Sequence, residues 1–153
     1  MEEGSSDMSS LSNHIFTVAG SAPVDLDAIA SQLRQTIHQL PPGSPLLAAQ
    51  ELAAQSGVQE YLVVVRGNEE PHVHPDGDLV ICTLEGGGYV QLDDGIADAP
   101  AGSVVVVPKN VCHAYFNLSP TDSVLFATFS PINSKAACPT LSSAKEGIDQ
   151  SRA

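Results

Sequence analysis

Two of the chain's five histidines, His72 and His74, stand one residue apart in EEPHVHPDGDLVICTLEGG, residues 69–87. In an extended segment side chains two apart share a face, so both imidazoles can address one cation. Two ligands hold a metal weakly. A third imidazole comes from His113 in AGSVVVVPKNVCHAYFN, residues 101–117, where Pro108 breaks a strand, Lys109 and Asn110 form a turn and His113 opens the next strand. An imidazole arriving from a neighbouring strand completes a facial set of three. Between the paired histidines and the following strand, Pro75, Asp76, Gly77 and Asp78 are ordinary turn residues, and Asp76 reads as facing water.

Other residues near these motifs carry chemistry with less support. If His113 points inward, so do Tyr115 and Asn117 by alternation. Tyr115 then offers a phenol to a substrate or to bound oxygen, or simply fills the interior. Arg66 is the one cation of the β region besides Lys109; turned inward it would clamp a substrate carboxylate, but it also ends the run YLVVVRG and fits an exposed strand end equally well. Cys112 alternates away from His113, and Cys82 away from Leu79. With Cys138 they make three cysteines, an odd number without CxxC spacing. That count argues against a disulfide framework and a cysteine zinc site, and the three are read as small buried hydrophobes. His14 and His38 lack partners at useful spacing, and His38 falls late in a helical pattern where a cation is favoured.

These residues need a scaffold, and 153 residues supply about one domain. Residues 1–12, acidic and Ser-rich, are expected to form a loose tail. Residues 13–57 read as a helical extension. Asp25 caps a helix in which Leu26, Ile29, Leu33, Ile37 and Leu40 recur every three or four residues, ending before PPG; LLAAQELAAQ, rich in helix formers, reads as a second helix stopping near Gly57. Residues 58–133 change to short β-branched runs about ten residues apart with turns between them and no helix, the pattern of an antiparallel sandwich or barrel. Residues 134–153, low in apolar periodicity, are expected to lie along the surface or to be mobile.

Eighteen Asp and Glu against six Lys and Arg leave a net charge of −12, which repels phosphate backbones and anionic lipid, so neither nucleic acid nor membrane is an expected partner. The start lacks the basic-then-apolar order of a signal peptide, and a cytoplasmic location is expected.

The two histidine stretches resemble the paired motifs of the cupin superfamily. In the second motif a glycine, five residues, PxGxxH, three residues and Asn become Gly102, SVVVV, Pro108, Lys109, Asn110, Val111, Cys112, His113, AYF and Asn117. Every spacing is kept, and Asn110, which replaces the glycine, is the other residue that best tolerates a left-handed turn. In the first motif Gly67 is followed by four residues instead of five before His72, Val73 and His74, and Gly86 closes it. Its glutamate is missing: counting back from Gly86 lands on Leu79, and counting on from His74 lands on Asp78. The resemblance covers about residues 58–131.

It implies a mainly β protein, a cupin-type jelly-roll β-barrel with a short N-terminal helical extension, commonly a homodimer. It implies one divalent metal held by His72, His74 and His113, with Asp78 as a fourth ligand or an acceptor from an imidazole N–H. Fe(II) is the leading expectation, with Mn(II), Ni(II) and Zn(II) as alternatives. The expected function is that of a mononuclear non-haem Fe(II) dioxygenase-like enzyme acting on a small molecule behind an apolar wall of Leu79, Ile81, Thr83 and Phe126, with Tyr115 and Arg66 as candidate catalytic residues. The alternatives are a noncatalytic metal- or ligand-binding module for sensing or storage, and a metal-dependent isomerase or lyase.

Overall fold

The computed structural model describes residues 11, 14–55 and 57–138. A short hairpin of β1 (Ile15–Phe16) and β2 (Val24–Asp25) leads into helix α1 (Leu26–His38). Asp25 caps α1 as expected, its carboxylate accepting from the N–H groups of Asp27 and Ala28 at 3.0 and 3.4 Å. The helix buries Leu26, Ala30, Leu33 and Ile37.

All further elements are strands: β3 (Leu47–Gln55), β4 (Val58–Val65), β5 (Gly77–Glu85), β6 (Gly87–Leu92), β7 (Gly95–Pro100), β8 (Val104–Val107), β9 (His113–Asn117) and β10 (Ser123–Pro131). They form two antiparallel sheets, ordered β3-β4-β10-β5-β8 and β7-β6-β9. The apolar residues of the inner faces meet in one core: Val65, Leu79, Ile81, Leu125, Ala127 and Phe129 from the larger sheet pack with Val90, Ala99 and Tyr115 from the smaller. On the outer face of the larger sheet Leu62, Val64 and Val124 pack with Leu26, Ala30, Leu33 and Ile37 of α1. This two-sided burial explains why YLVVV reads as a continuous apolar run. Arg34 of α1 fastens the helix to the sheet, with Nε 2.9 Å from Asp122 and Nη2 3.2 Å from Glu85.

Three expectations need correction. LLAAQELAAQ does not form a second helix; its residues 47–55 are the edge strand β3, paired along β4 with a bulge between Glu51 and Ala53. Helix propensity distinguishes such residues by a few tenths of a kcal/mol each, and a ladder beside β4 with Leu47 packed on the core outweighs it. Next, Cys112 and Cys138 are joined in a disulfide and Cys82 is free. An odd count shows only that one thiol is left over, and residues 26 apart in sequence were brought together by the fold. Finally, Leu11, assigned to a loose tail, is fully buried against α1 and β4; the remaining residues of that tail lie outside the described residues.

Candidate metal centre

His113 is the first residue of β9, and the tight turn before it is closed by Asn110 at φ 68°, the left-handed conformation that its side chain tolerates. The HxH segment lies beside β9 as an irregular strand. His72 and His113 exchange both backbone hydrogen bonds at 3.0 Å, and Asn110 N–H donates to the His74 carbonyl at 3.1 Å. These bonds carry two imidazoles of one segment and one of its neighbour to the same point.

The ring centroids lie 4.4 Å apart for His72 and His113, 4.8 Å for His72 and His74, and 5.0 Å for His74 and His113. All three side chains are buried, and one nitrogen from each ring lies within 4.8 Å of the others. The Nδ1 atoms are spoken for: His72 donates to the Glu70 carbonyl at 2.7 Å, His74 to Ser134 at 2.6 Å and His113 to Val111 at 2.9 Å. A carbonyl only accepts, so each Nδ1 carries the proton and each Nε2 keeps its lone pair. Nε2 of His113 is buried with no protein partner. Burial pushes all three imidazoles toward the neutral form, His72 down to about 4. Three imidazoles kept toward the neutral form, with one nitrogen from each within 4.8 Å of the others in a buried place, are a donor set that could hold a divalent transition metal.

His72 and His74 border a cavity of about 140 Å³ inside the barrel. Its walls are largely apolar, among them Leu47, Val63, Leu79, Ile81, Leu125 and Phe129, and its polar side chains beyond the histidines are Tyr61, Glu69, Asn133 and Lys135. Leu79 and Ile81 form part of the wall as expected. Phe126 does not: it points to the outer face, its ring 5.6 Å from that of Phe16, because alternation along β10 turns Leu125, Ala127 and Phe129 inward.

Asp78 stands apart from the histidines. It is exposed, and its carboxylate accepts from the Lys109 N–H at 2.9 Å, holding the turn that precedes His113. Buried Leu79 takes the inward position, so no bulge rotates the carboxylate in. Tyr115 is fully buried in the core and donates its phenol to Ser123 at 2.9 Å, which is the space-filling reading. Arg66 lies 3.6 Å from Asp122 at the edge of the helix-docking ion cluster. Neither Tyr115 nor Arg66 borders the histidine cavity.

Two contributions were not foreseen. Glu69 accepts from Tyr115 N–H at 3.0 Å through its carboxylate and reaches the cavity. Burial raises its pKa, opposed by that hydrogen bond and by the nearness of His113 and Lys135. The adjacent pair Glu69 and Glu70 ahead of the histidines was the available signal. The other contribution comes from residues 134–138, which run along the surface with most side chains exposed and still reach the histidines: the Ser134 carbonyl orients His74, Ala136 bridges Val73 and Lys135 borders the cavity. Residues 139–153 of the expected tail lie outside the described residues.

The comparisons with known proteins agree with this architecture. Residues 59–129 match the family model described as cupin domain. An uncharacterized protein of Aquifex aeolicus (strain VF5) is 35% identical over 74 residues, a stretch covering 48% of this chain and only 60% of that protein. Among solved structures, an RmlC-like cupin from Shewanella frigidimarina superposes with a TM-score of 0.52 at 25% identity, covering 62% of this chain and 86% of that one. KdgF from Halomonas sp. gives a TM-score of 0.55 at 20% identity over 66% of this chain and 94% of that one. Oxalate oxidase in complex with the substrate analogue glycolate gives 0.54 at 21% identity, over 71% and 67% of the two chains. At these last identities the likeness is one of fold.

Proposed function

With the barrel of this chain belonging to the cupin superfamily, we propose that His72, His74 and His113 hold one divalent metal, and that the protein is a mononuclear non-haem Fe(II) dioxygenase-like enzyme acting on a small molecule. The observation that carries the metal reading is the set of three Nδ1–H donors bound to carbonyls, which leaves the Nε2 lone pairs of three clustered rings free for an ion. When bound, iron would supply a redox-active Lewis acid with ligand positions left for exogenous molecules.

The chain's own groups set what can approach. Leu79, Ile81, Leu125 and Phe129 give the cavity apolar walls beside His72 and His74. A dry apolar cavity of about 150 Å³ accepts a body the size of benzene, so the 140 Å³ space here suits a compact apolar ligand with its polar end toward the histidines. Glu69 and Lys135 are charged side chains lining the same cavity, placed to hold or exchange a proton and to pair with a charged group of the ligand.

A second reading, a noncatalytic module that binds a metal or small ligand, is favoured by the engagement of Tyr115 with Ser123 and of Arg66 with Asp122, away from the cavity. Anaerobic purification with elemental analysis, followed by oxygen-uptake assays on small thiols, diketones and aromatic acids, separates the readings. Stoichiometric iron with oxygen consumption supports the enzyme. Iron without turnover across the panel supports the module, and turnover without oxygen uptake assigns an isomerase or lyase.

A homodimer remains a proposal, as does a cytoplasmic location; no helix among the described residues is long and apolar enough to cross a membrane. In a reducing compartment the Cys112–Cys138 bond would be a reversible feature and not a permanent one.

A further inference from the structure

The disulfide lies against the histidine centre at both ends. Cys112 directly precedes His113, and Cys138 closes the segment 133–138. That segment enters the centre in three ways. The Ser134 carbonyl accepts from His74 Nδ1 at 2.6 Å. Ala136 and Val73, the residue between the two paired ligands, exchange backbone hydrogen bonds of 2.9 and 3.0 Å. Asn133 and Lys135 border the cavity.

Among the described residues little else fixes this segment: it belongs to no strand, and its other hydrogen bonds are exposed ones from Asn133 N–H to Gln59 and from Asp76 N–H to Ser134 Oγ. Ordering each residue costs conformational entropy, and exposed hydrogen bonds return little net free energy. Val73, Cys112 and Cys138 form a small buried cluster of their own, so the covalent bond sits under the HxH segment itself. A second cavity, about 180 Å³ and lined by Pro71, Asp93, Cys112 and His113 among others, borders Cys112.

We propose that the Cys112–Cys138 disulfide is a redox latch on the metal centre: closed, it holds Ser134 and Ala136 where they orient His74 and Val73; reduced, it frees the segment and weakens metal binding. The inference rests on the metal reading above. The chemistry balances with a dithiol as co-reactant, which gives up two electrons and two protons; the S–S bond breaks to two cysteine thiols, and the dithiol leaves as its own disulfide. The carbonyl that holds a ligating imidazole fixes its tautomer and raises its basicity, and loss of such a partner typically costs 10- to 100-fold in metal affinity.

The test is a Zn(II) titration of the full chain, competed against a chromophoric chelator, in a Cys82→Ser background that removes the free thiol. Oxidised protein is compared with protein reduced by a phosphine, which is removed anaerobically before titration, and with a Cys112→Ser/Cys138→Ser variant that has no thiol to bind zinc itself. The latch predicts stoichiometric binding by the oxidised form. It predicts an affinity about tenfold weaker or worse in the other two, with the β signature in circular dichroism kept and faster amide exchange at Val73 and Ala136. Should the double variant fold poorly, Cys112→Ala/Cys138→Ala, which likewise leaves no thiol beside His113, carries the same comparison. Equal affinity in both redox states overturns the latch and leaves the bond a structural staple. No zinc binding by the oxidised form overturns the metal reading itself, a distinct failure.

Discussion

Three histidines owe their competence to backbone carbonyls. Because Glu70, Ser134 and Val111 accept the Nδ1 protons, each ring is oriented before any ion arrives. His113→Ala should therefore abolish stoichiometric metal content, measured by elemental analysis, while circular dichroism retains the β signature. Asp78→Asn should keep full occupancy, since Asp78 bonds the Lys109 N–H and an amide oxygen can replace it; lost metal in this variant would return the aspartate to the site. The pH dependence follows from burial, which lowers the His72 pKa from 6.5 to about 4. The unfolded chain takes up a proton as pH falls through about 6.5, whereas the folded metal-free protein refuses it until about 4, so stability declines across that window. At 1.36 kcal/mol per pH unit, His72 alone accounts for roughly 3 kcal/mol, and His74 and His113 act in the same direction. Melting curves of the metal-free protein should thus fall steeply below about pH 6.5, and less steeply in His72→Gln. At this scale spacing identified all three histidines. It could not orient Asp78, because a single-residue choice between Asp78 and Leu79 for the inward face depends on the pairing of β5 with β10 and β8.

The elements differ in how far local chemistry decided them. α1 was legible because its cap and its apolar stripe agree, and each can be tested by denaturant unfolding. Asp25→Ala should cost about 1 kcal/mol through the lost cap, and Leu33→Ala about 2–5 kcal/mol, since this side chain is buried against the outer face of the sheet. β3 was not legible: Ala, Gln, Glu and Leu favour helix in isolation, and only the exposed edge of β4 makes a ladder the better use of their backbone groups. Residues 133–138 have the composition of a surface segment. Their place beside the three histidines is decided by partners far away in sequence, Val73, His74 and Cys112.

For the molecule as a whole, a metal bound by the folded state alone is a stabiliser. At a thousandfold excess over its dissociation constant it should add about 4 kcal/mol, and at about 2–4 °C per kcal/mol for a chain of this size chelation should lower the melting temperature by roughly 8–16 °C. Differential scanning calorimetry with and without chelator reads this directly, and an unchanged melting temperature would contradict a bound ion. The alternation and spacing of the β-branched runs, the asparagine-bearing turn before His113 and the HxH pair by themselves pointed to a β-barrel with three convergent imidazoles. Those signals act over a few residues, where sterics and side-chain period are sufficient. Only the tertiary structure decided that Asp78 faces water, that Tyr115 and Arg66 are engaged away from the cavity, that Glu69 reaches it, and that Cys112 joins Cys138 beside His113. Each of these depends on which distant backbone lies opposite, and contacts between residues remote in sequence leave no period in the chain to be read.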